Sequence, residues 1–397
     1  MRPNNHDAYM RLIINTNMNF DLTQDQEALR QRVRDFAEQE VKPVARDNDE
    51  QQHFDVGLTL KMAEQGLLGM TVPKEYGGQG LDNLSYIIAV EELARVDGST
   101  AATIAADNSL GIGPIKDYGT EEQKRKYLPQ LCKDRLWGFG LTEEDAGSDS
   151  RGTKTTASFD GTFWHLNGSK IFITNSATPI SLGTTVQAVS GVKDGKPEFT
   201  ALLVENKKEG YTQTPMHDKM MWRASNTGKL IFNDVRLRED CILGKPGEGS
   251  HIMLATLDSG RLSIAAMGLG CAQGAYEMAL AYSKKREQFG KPVCKFQAVS
   301  FKLADMAMKI EAARGLLYRA CWLKDQHRPF GKEAAMAKLY CSEVAAEVCD
   351  KAVQVMGGHG LLKEFDMERF YRDQRILQIG EGTSEILRLV ISRAIGC

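Results

Sequence analysis

Apolar side chains recur at Leu29, Val33, Phe36, Ala37 and Val41, the spacing of one face of a helix. Thr23 and Gln26 ahead of them have capping-box spacing, and Pro43 predicts an end or a kink. The same pattern predicts a second helix over 59–65, closed by Gly66, and a third over 85–96. Thr120 and Gln123 repeat the capping box before KRKYLPQL. Residues 18–138 therefore read as a helical domain behind a tail over 1–17.

From 139 to 249 the periodicity shortens. TTASF, TFWHL, KIFIT, EFTALLV and KLIFNDVRL are rich in β-branched and aromatic residues. Asp160-Gly161, Asn167-Gly168 and Asp194-Gly195 lie between such runs and have the composition of tight hairpin turns. A compact middle β domain is expected. From 250 to 397 helical spacing returns over 250–284, 297–326 and 331–356, and again from Thr383. Four such helices with short connections predict a bundle. The fold class is α+β, in the order helices, sheet, helices.

The composition of the 397 residues is that of a globular protein, 42% hydrophobic and 26% charged. A net charge of -2 supplies no basic excess for a nucleic-acid partner. The eight cysteines are scattered, without a C-x-x-C pair or a His at ligand spacing, so reduced thiols and no metal site are expected. No apolar run in the sequence approaches the roughly 20 residues that span a bilayer, so no membrane insertion is expected. MRPNNHDAYMRLIINTN lacks a secretory apolar core, and the cytoplasm is the expected compartment. A non-native start before Met18 is the other reading of that tail. Neither a G-x-G-x-x-G after a strand nor a G-x-x-x-x-G-K-[ST] is present, which argues against Rossmann and P-loop nucleotide sites.

Five separated motifs carry more. They are PKEYGGQG at 73–80, LTEEDAGSD at 141–149, NGSKIFITN at 167–175, REQFGKPVCKFQ at 286–297 and QIGEGTSEI at 378–386. In this order, within helix–sheet–helix periodicity, the chain resembles the acyl-CoA dehydrogenase family from about Phe20 to Arg393. The resemblance implies FAD as cofactor, an acyl-CoA substrate, an electron-transfer flavoprotein as partner and a homotetramer. It places Phe139, Leu141, Thr142, Phe172 and Thr174 against the flavin ring, and Ser148 beside the flavin and the CoA chain. It places Arg286, Gln288 and Phe289 on a neighbouring subunit's FAD, completed by Gln354, Gly357 and Gly358. Thr383 and Glu385 match positions near the adenosine half, and Asp258 and Arg261 match CoA contacts. In each case a plainer role stands beside the functional one. Glycines end helices, and Asp258 with Arg261 is a spacing for a surface ion pair.

Glu381, in Ile379-Gly380-Glu381-Gly382, matches the family's catalytic base. An apolar surrounding would raise its pKa and suit it to removing the α-proton of a thioester. By resemblance its N–H, with a flavin hydroxyl, would hold the thioester oxygen, and Gly380 and Gly382 would line the acyl site. Some members carry the base elsewhere, at the position of Gly260, which here is empty.

Two features depart from the family pattern. Gly380 replaces a common aromatic residue, which predicts room for a branched or alicyclic acyl group. Asp107 stands where a carboxylate is unusual. It is read either as a second base, permitting 1,4-dehydrogenation of a cyclohexene-carboxyl-CoA alongside cyclohexane-carboxyl-CoA chemistry, or as a buried cap on the turn at Asn108–Ser109. A flavin oxidase or monooxygenase on the same fold, and a non-catalytic binding or assembly protein, are the competing functions.

Overall fold

The computed structural model describes residues 21–397. The expectations for 1–17 and the start near Met18 lie outside the described residues. The N-terminal helices are α1 (Gln24–Phe36), α2 (Lys42–Gln51), α3 (Val56–Glu64), α4 (Asn83–Ala94), α5 (Gly98–Ala106), α6 (Ile112–Tyr118) and α7 (Glu121–Leu131). Both capping boxes form, at Thr23–Gln26 and at Thr120–Gln123. Pro43 neither ends nor breaks the first helical run. A π-helical turn, Ala37–Val41, precedes it and leaves Pro43 in the first turn of α2, where a missing N–H costs nothing. A second π-helical stretch, Asp107–Gly111, joins α5 to α6. No sequence signal marked α5 or α6, because small residues such as those of GSTAATIAA have no polar face to contrast with.

The middle of the chain forms an eight-stranded sheet. Its strands are β1 (Leu136–Gly140), β2 (Thr156–Phe159), β3 (Trp164–Thr174), β4 (Ser181–Lys193), β5 (Lys196–Glu205), β6 (Tyr211–Pro215), β7 (Thr227–Leu237) and β8 (Ile242–Leu243). The order is β6-β7-β3-β2-β4-β5-β8, with β1 parallel to β4. Asp160-Gly161 and Asp194-Gly195 do turn the chain between paired strands, the latter pair with φ of 51° and 73°. Asn167-Gly168 does not. TFWHL and KIFIT are one strand, and this dipeptide is a bulge within it: Gly168 has φ 137° and Asn167 Oδ1 accepts the Asp234 N–H at 2.8 Å.

β4 was not foreseen, since SLGTTVQAVSGVK is poor in large apolar residues. Several of its polar side chains find partners only in the folded neighbourhood. Thr185 Oγ1 takes the Trp137 Nε1–H at 2.9 Å, and Gln187 Nε2 donates to Ser150 O at 2.9 Å.

The last third contains α8 (Gly249–Lys285), α9 (Gln297–Asp325), α10 (Gly331–Met356), the short α11 (Met367–Asp373) and α12 (Ser384–Ala394). The four long helices match expectation, and α8 runs through the middle, buried nearly all round from Gly260 to Ala272. By length and mean hydropathy (1.2) this helix would qualify as a membrane span, contrary to the expectation from apolar runs. Within the fold 72% of that window is covered, so its apolar surface is used by the neighbouring helices and sheet.

Candidate active site

Ile379 and Gly380 close the 3₁₀ turn Gln374–Gln378, both donating to Ile376 O at 2.8 Å. The chain then swings into α12 through two left-handed residues, Glu381 (φ 55°) and Gly382 (φ 101°). Thr383 caps the helix, its hydroxyl taking the Ile386 N–H at 3.3 Å. A left-handed backbone costs a side-chain-bearing residue about 1–2 kcal/mol. Among neighbouring glycines, a glutamate at that position is retained for its side chain.

That side chain turns inward onto α8. A Cβ added to Gly260 would lie 2.0 Å from Glu381 Oε2 and 2.9 Å from Leu110 Cδ2. Gly260 is thus the notch in α8 that admits the carboxylate, a function its glycine identity alone did not reveal. The residue as a whole is half-buried, but Oε2 is sealed from solvent and has no hydrogen-bond partner. Burial therefore raises the Glu381 pKa to about 7, against the opposing pull of Lys338 and then Arg261. The Glu381 N–H makes no hydrogen bond to the backbone among the described residues.

Two helices set the charge around it. From α8, Arg261 is buried and bonds Asp258 Oδ1 through NH1 at 2.5 Å, while its Nε has no partner. Asp258 is itself raised by burial despite Arg261. From α10, Lys338 is fully buried and donates to Gly382 O at 2.6 Å. Burial brings its pKa down to about 8, with Glu381 acting in the other direction. Behind the notch, Tyr86 and Ser109 both donate to Ala105 O, at 2.7 and 2.6 Å, and Ser109 Oγ lies 3.3 Å from Ser263 Oγ.

Asp107 and Glu381 are not brought together. Asp107 is fully buried, its Oδ1 faces the Trp137 N–H at 3.4 Å and its Oδ2 has no partner. It heads the π-helical stretch and does not cap a turn at Asn108–Ser109; Asn108 is occupied with Met70 N and Leu67 O instead. Burial raises the Asp107 pKa well above the usual carboxylate range, against the weaker pull of the Trp137 N–H beside β1. From the same stretch it is Leu110 that reaches the Gly260 notch.

The remaining candidates fall into two groups. Phe139 lies near the end of β1, Leu141 and Thr142 directly follow it, and the Ile171 N–H bonds Thr142 O at 2.9 Å, which sets them beside Phe172 and Thr174. Ser148 is exposed in the loop that follows. Phe172 stands out on a strained backbone, φ 62°, with 63% of its surface open. At the far end of α8, Arg286, Gln288 and Phe289 are exposed on a small hairpin (Glu287–Gln288 with Lys291–Pro292), and Phe289 has φ 52° and 93% exposure. The bond between Tyr282 Oη and His359 Nδ1, 3.0 Å, ties that end to the C-terminus of α10, where Gln354, Gly357 and Gly358 are exposed. This second group lies roughly 39 Å from Gly260 along the helix axis. Glu385 is exposed on the first turn of α12. A cleft of about 720 Å³ between α1 and α3 shares no residue with this site.

Models of the acyl-CoA dehydrogenase N-terminal, middle and C-terminal domains match residues 23–135, 138–235 and 247–396. The chain belongs to the acyl-CoA dehydrogenase family. "Probable acyl-CoA dehydrogenase YngJ" of Bacillus subtilis is 48% identical over 380 residues, covering 95% of this chain and all of that one. Butyryl-CoA dehydrogenase of Megasphaera elsdenii superposes with a TM-score of 0.92 at 42% identity, over 95% of this chain and 100% of that one. A chain from the structural study of the electron transferring flavoprotein of Acidaminococcus fermentans gives 0.92 at 44%, over 96% and 100%. An acyl-CoA dehydrogenase of Bacillus anthracis, solved in complex with FAD, gives 0.89 at 35%, over 94% and 67%.

The residues of this acyl-CoA dehydrogenase fit a large planar cofactor. Phe172 and Phe289 are aromatic rings held outward by strained backbone, and a Cβ added at Gly357 or Gly358 would meet nothing within 4 Å. Lys338 escaped the sequence reading. The available signal was a lysine on the apolar stripe of α10, in register with Ala334, Cys341 and Ala345.

Proposed function

We propose that the protein oxidises short, branched or alicyclic acyl-CoA thioesters, with Glu381 removing the α-proton. One observation carries this reading: a carboxylate on a strained turn, with one oxygen sealed from solvent and without a hydrogen-bond partner, so that burial raises its pKa to about 7. Desolvation makes it a stronger base than a hydrated glutamate, and a pKa near the working pH suits proton transfer. The unbonded Glu381 N–H is available to the thioester oxygen, where it stabilises the developing enolate charge. Arg261 and Lys338 lie close enough to favour the ionised base without neutralising it. When bound, FAD supplies the acceptor for the β-hydride. Phe139, Leu141, Thr142, Ser148, Phe172 and Thr174 would hold it from the sheet, and Thr383 and Glu385 would approach its adenosine half.

Arg286, Gln288, Phe289, Gln354, Gly357 and Gly358 are too far from Glu381 to serve the same site in one chain. That distance supports a second copy completing each FAD site, within a homotetramer, with an electron-transfer flavoprotein as the external partner. The acyl preference rests on Gly380. Its φ is not positive, and an added Cβ would come no nearer than 3.6 Å to anything. Neither backbone nor packing demands glycine there, so the missing side chain leaves open volume beside the base.

Glu381→Gln tests the reading. The variant should retain FAD, while its anaerobic flavin reduction by a saturated acyl-CoA falls by about 10²–10⁴-fold, the usual contribution of a general base. Reduction at the wild-type rate would end the proposal. A second reading, 1,4-removal from a cyclohexene-carboxyl-CoA with Asp107 as base, needs that carboxyl at the acyl group, and its full burial beside the Trp137 N–H weighs against it. Asp107→Asn separates the two, since only the second reading expects selective loss on the alicyclic substrate.

A further inference from the structure

Lys338 is a fully buried ammonium on an otherwise apolar helix stripe, between Ala334, Ala337 and Cys341. Burying an unpaired charge is costly, so its one contact is informative. That contact is not the neighbouring carboxylate. Nζ donates to the carbonyl of Gly382, the residue that follows the base and completes the left-handed turn. We propose that Lys338 is a positioning residue for Glu381: it clamps the Glu381–Gly382 turn and holds a positive charge beside the carboxylate without pairing with it.

The two parts of this role have separate physical causes. Left-handed Glu381 lacks the backbone hydrogen bonds of a helix, so the turn is kept in place by its ends. Thr383 fixes the α12 side through Ile386, and Lys338 fixes the peptide between. The charge acts across a short, poorly solvated gap, where an opposite charge lowers a carboxyl pKa by about 1–3 units. A direct ion pair would block the oxygen that must take the proton. Other charged or titratable groups face the same space: Arg261 with Asp258 from α8, Glu385 from α12, and Tyr86 from α4. Lys338 comes first among those acting on Glu381 after burial itself.

This inference rests on Glu381 being the base, and its test is arranged to fail separately. In holoenzyme labelled with carboxyl-¹³C glutamate, the Glu381 signal is assigned by its loss in Glu381→Gln and then titrated. Lys338→Met should move that titration up by about one pH unit. Anaerobic flavin reduction at pH 7 should then drop about tenfold, return toward wild type in alkali, and leave the acyl-CoA Kd within threefold. Lys338→Arg, which keeps charge and donor, should restore the profile. If Lys338→Met does not retain flavin, Lys338→Gln is read the same way. An unmoved carboxyl titration overturns the role of Lys338 whatever the kinetics show. Normal flavin reduction in Glu381→Gln overturns the base and leaves the titration result standing.

Discussion

Lys170 and Lys338 are the two lysines that bury completely among the described residues, and each has a glutamate nearby. On the sheet, Lys170 Nζ meets Glu143 Oε1 at 2.7 Å and Leu141 O at 3.0 Å. Glu143 also accepts the backbone N–H groups of Lys154 and Thr155, at 2.7 and 3.1 Å. In the bundle, Lys338 bonds a carbonyl and Glu381 Oε2 bonds nothing. The consequences are opposite. Donors hold the Glu143 carboxyl below its ordinary pKa despite burial, whereas Glu381 is raised to about 7. A buried lysine and glutamate thus make either a fixed anion or a base, and what decides is the number of donors on the carboxylate.

The comparison breaks most visibly at Glu143. Removing one partner of a buried pair strands the other charge, at a cost of about 3–5 kcal/mol. Glu143→Gln should therefore lower the midpoint of thermal unfolding by several degrees, while Glu381→Gln, which replaces an unsatisfied carboxylate, should leave it unchanged or raise it. Equal losses in the two variants would show that both glutamates are structural.

The pH dependence sharpens the same contrast. Glu381 has a folded pKa near 7 against about 4.5 unperturbed. A raised acid favours folding in full below the unfolded value, and that contribution disappears as pH rises through the folded one. Relative to Glu381→Gln, wild type should lose stability between about pH 4.5 and 7, by an amount on the order of 3 kcal/mol at most. Glu143, lowered, carries the other sign: its contribution is present above the unfolded value and is lost as pH falls through the folded one. Denaturant titrations of wild type and both variants should show the Glu381 difference curve falling between about pH 4.5 and 7, and the Glu143 curve flat there and falling only as pH drops below about 4.5. Parallel curves would contradict the assignment.

How much of this was legible in the chain follows from how local each cause is. The bundle helices were readable because apolar spacing persists over many turns, and the start of the last one was readable near Thr383. Glu381 was legible only through its motif, since nothing local distinguishes it from a glutamate near a helix start. β4 was illegible because Thr184, Thr185 and Gln187 find their partners in Tyr211, Trp137, Ser150 and Thr153, residues from elsewhere in the chain. Asn167-Gly168 has the same composition as a hairpin turn, and only the pairing of β3 with β7 makes it a bulge. The role of Gly260 depends on a side chain more than a hundred positions away.

Gly260 also provides the finest test of the comparison, because it separates position from chemistry. Glycine inside a helix is about 1 kcal/mol worse than alanine, so Gly260→Ala removes a local weakness of α8. The added methyl would need the space of Glu381 Oε2, 2.0 Å away, and that oxygen is the movable end of a side chain. The carboxylate should yield while the helix holds. Thermal stability should then stay near wild type and FAD should be retained, whereas flavin reduction by an acyl-CoA falls roughly 10²-fold, the penalty of about 1 Å of misplacement. The Glu143–Lys170 pair has no such neighbour to displace it. A Gly260→Ala protein that reduces its flavin at the wild-type rate would mean that the notch in α8 does not hold the reactive oxygen in place, and that burial alone suffices to make Glu381 a base.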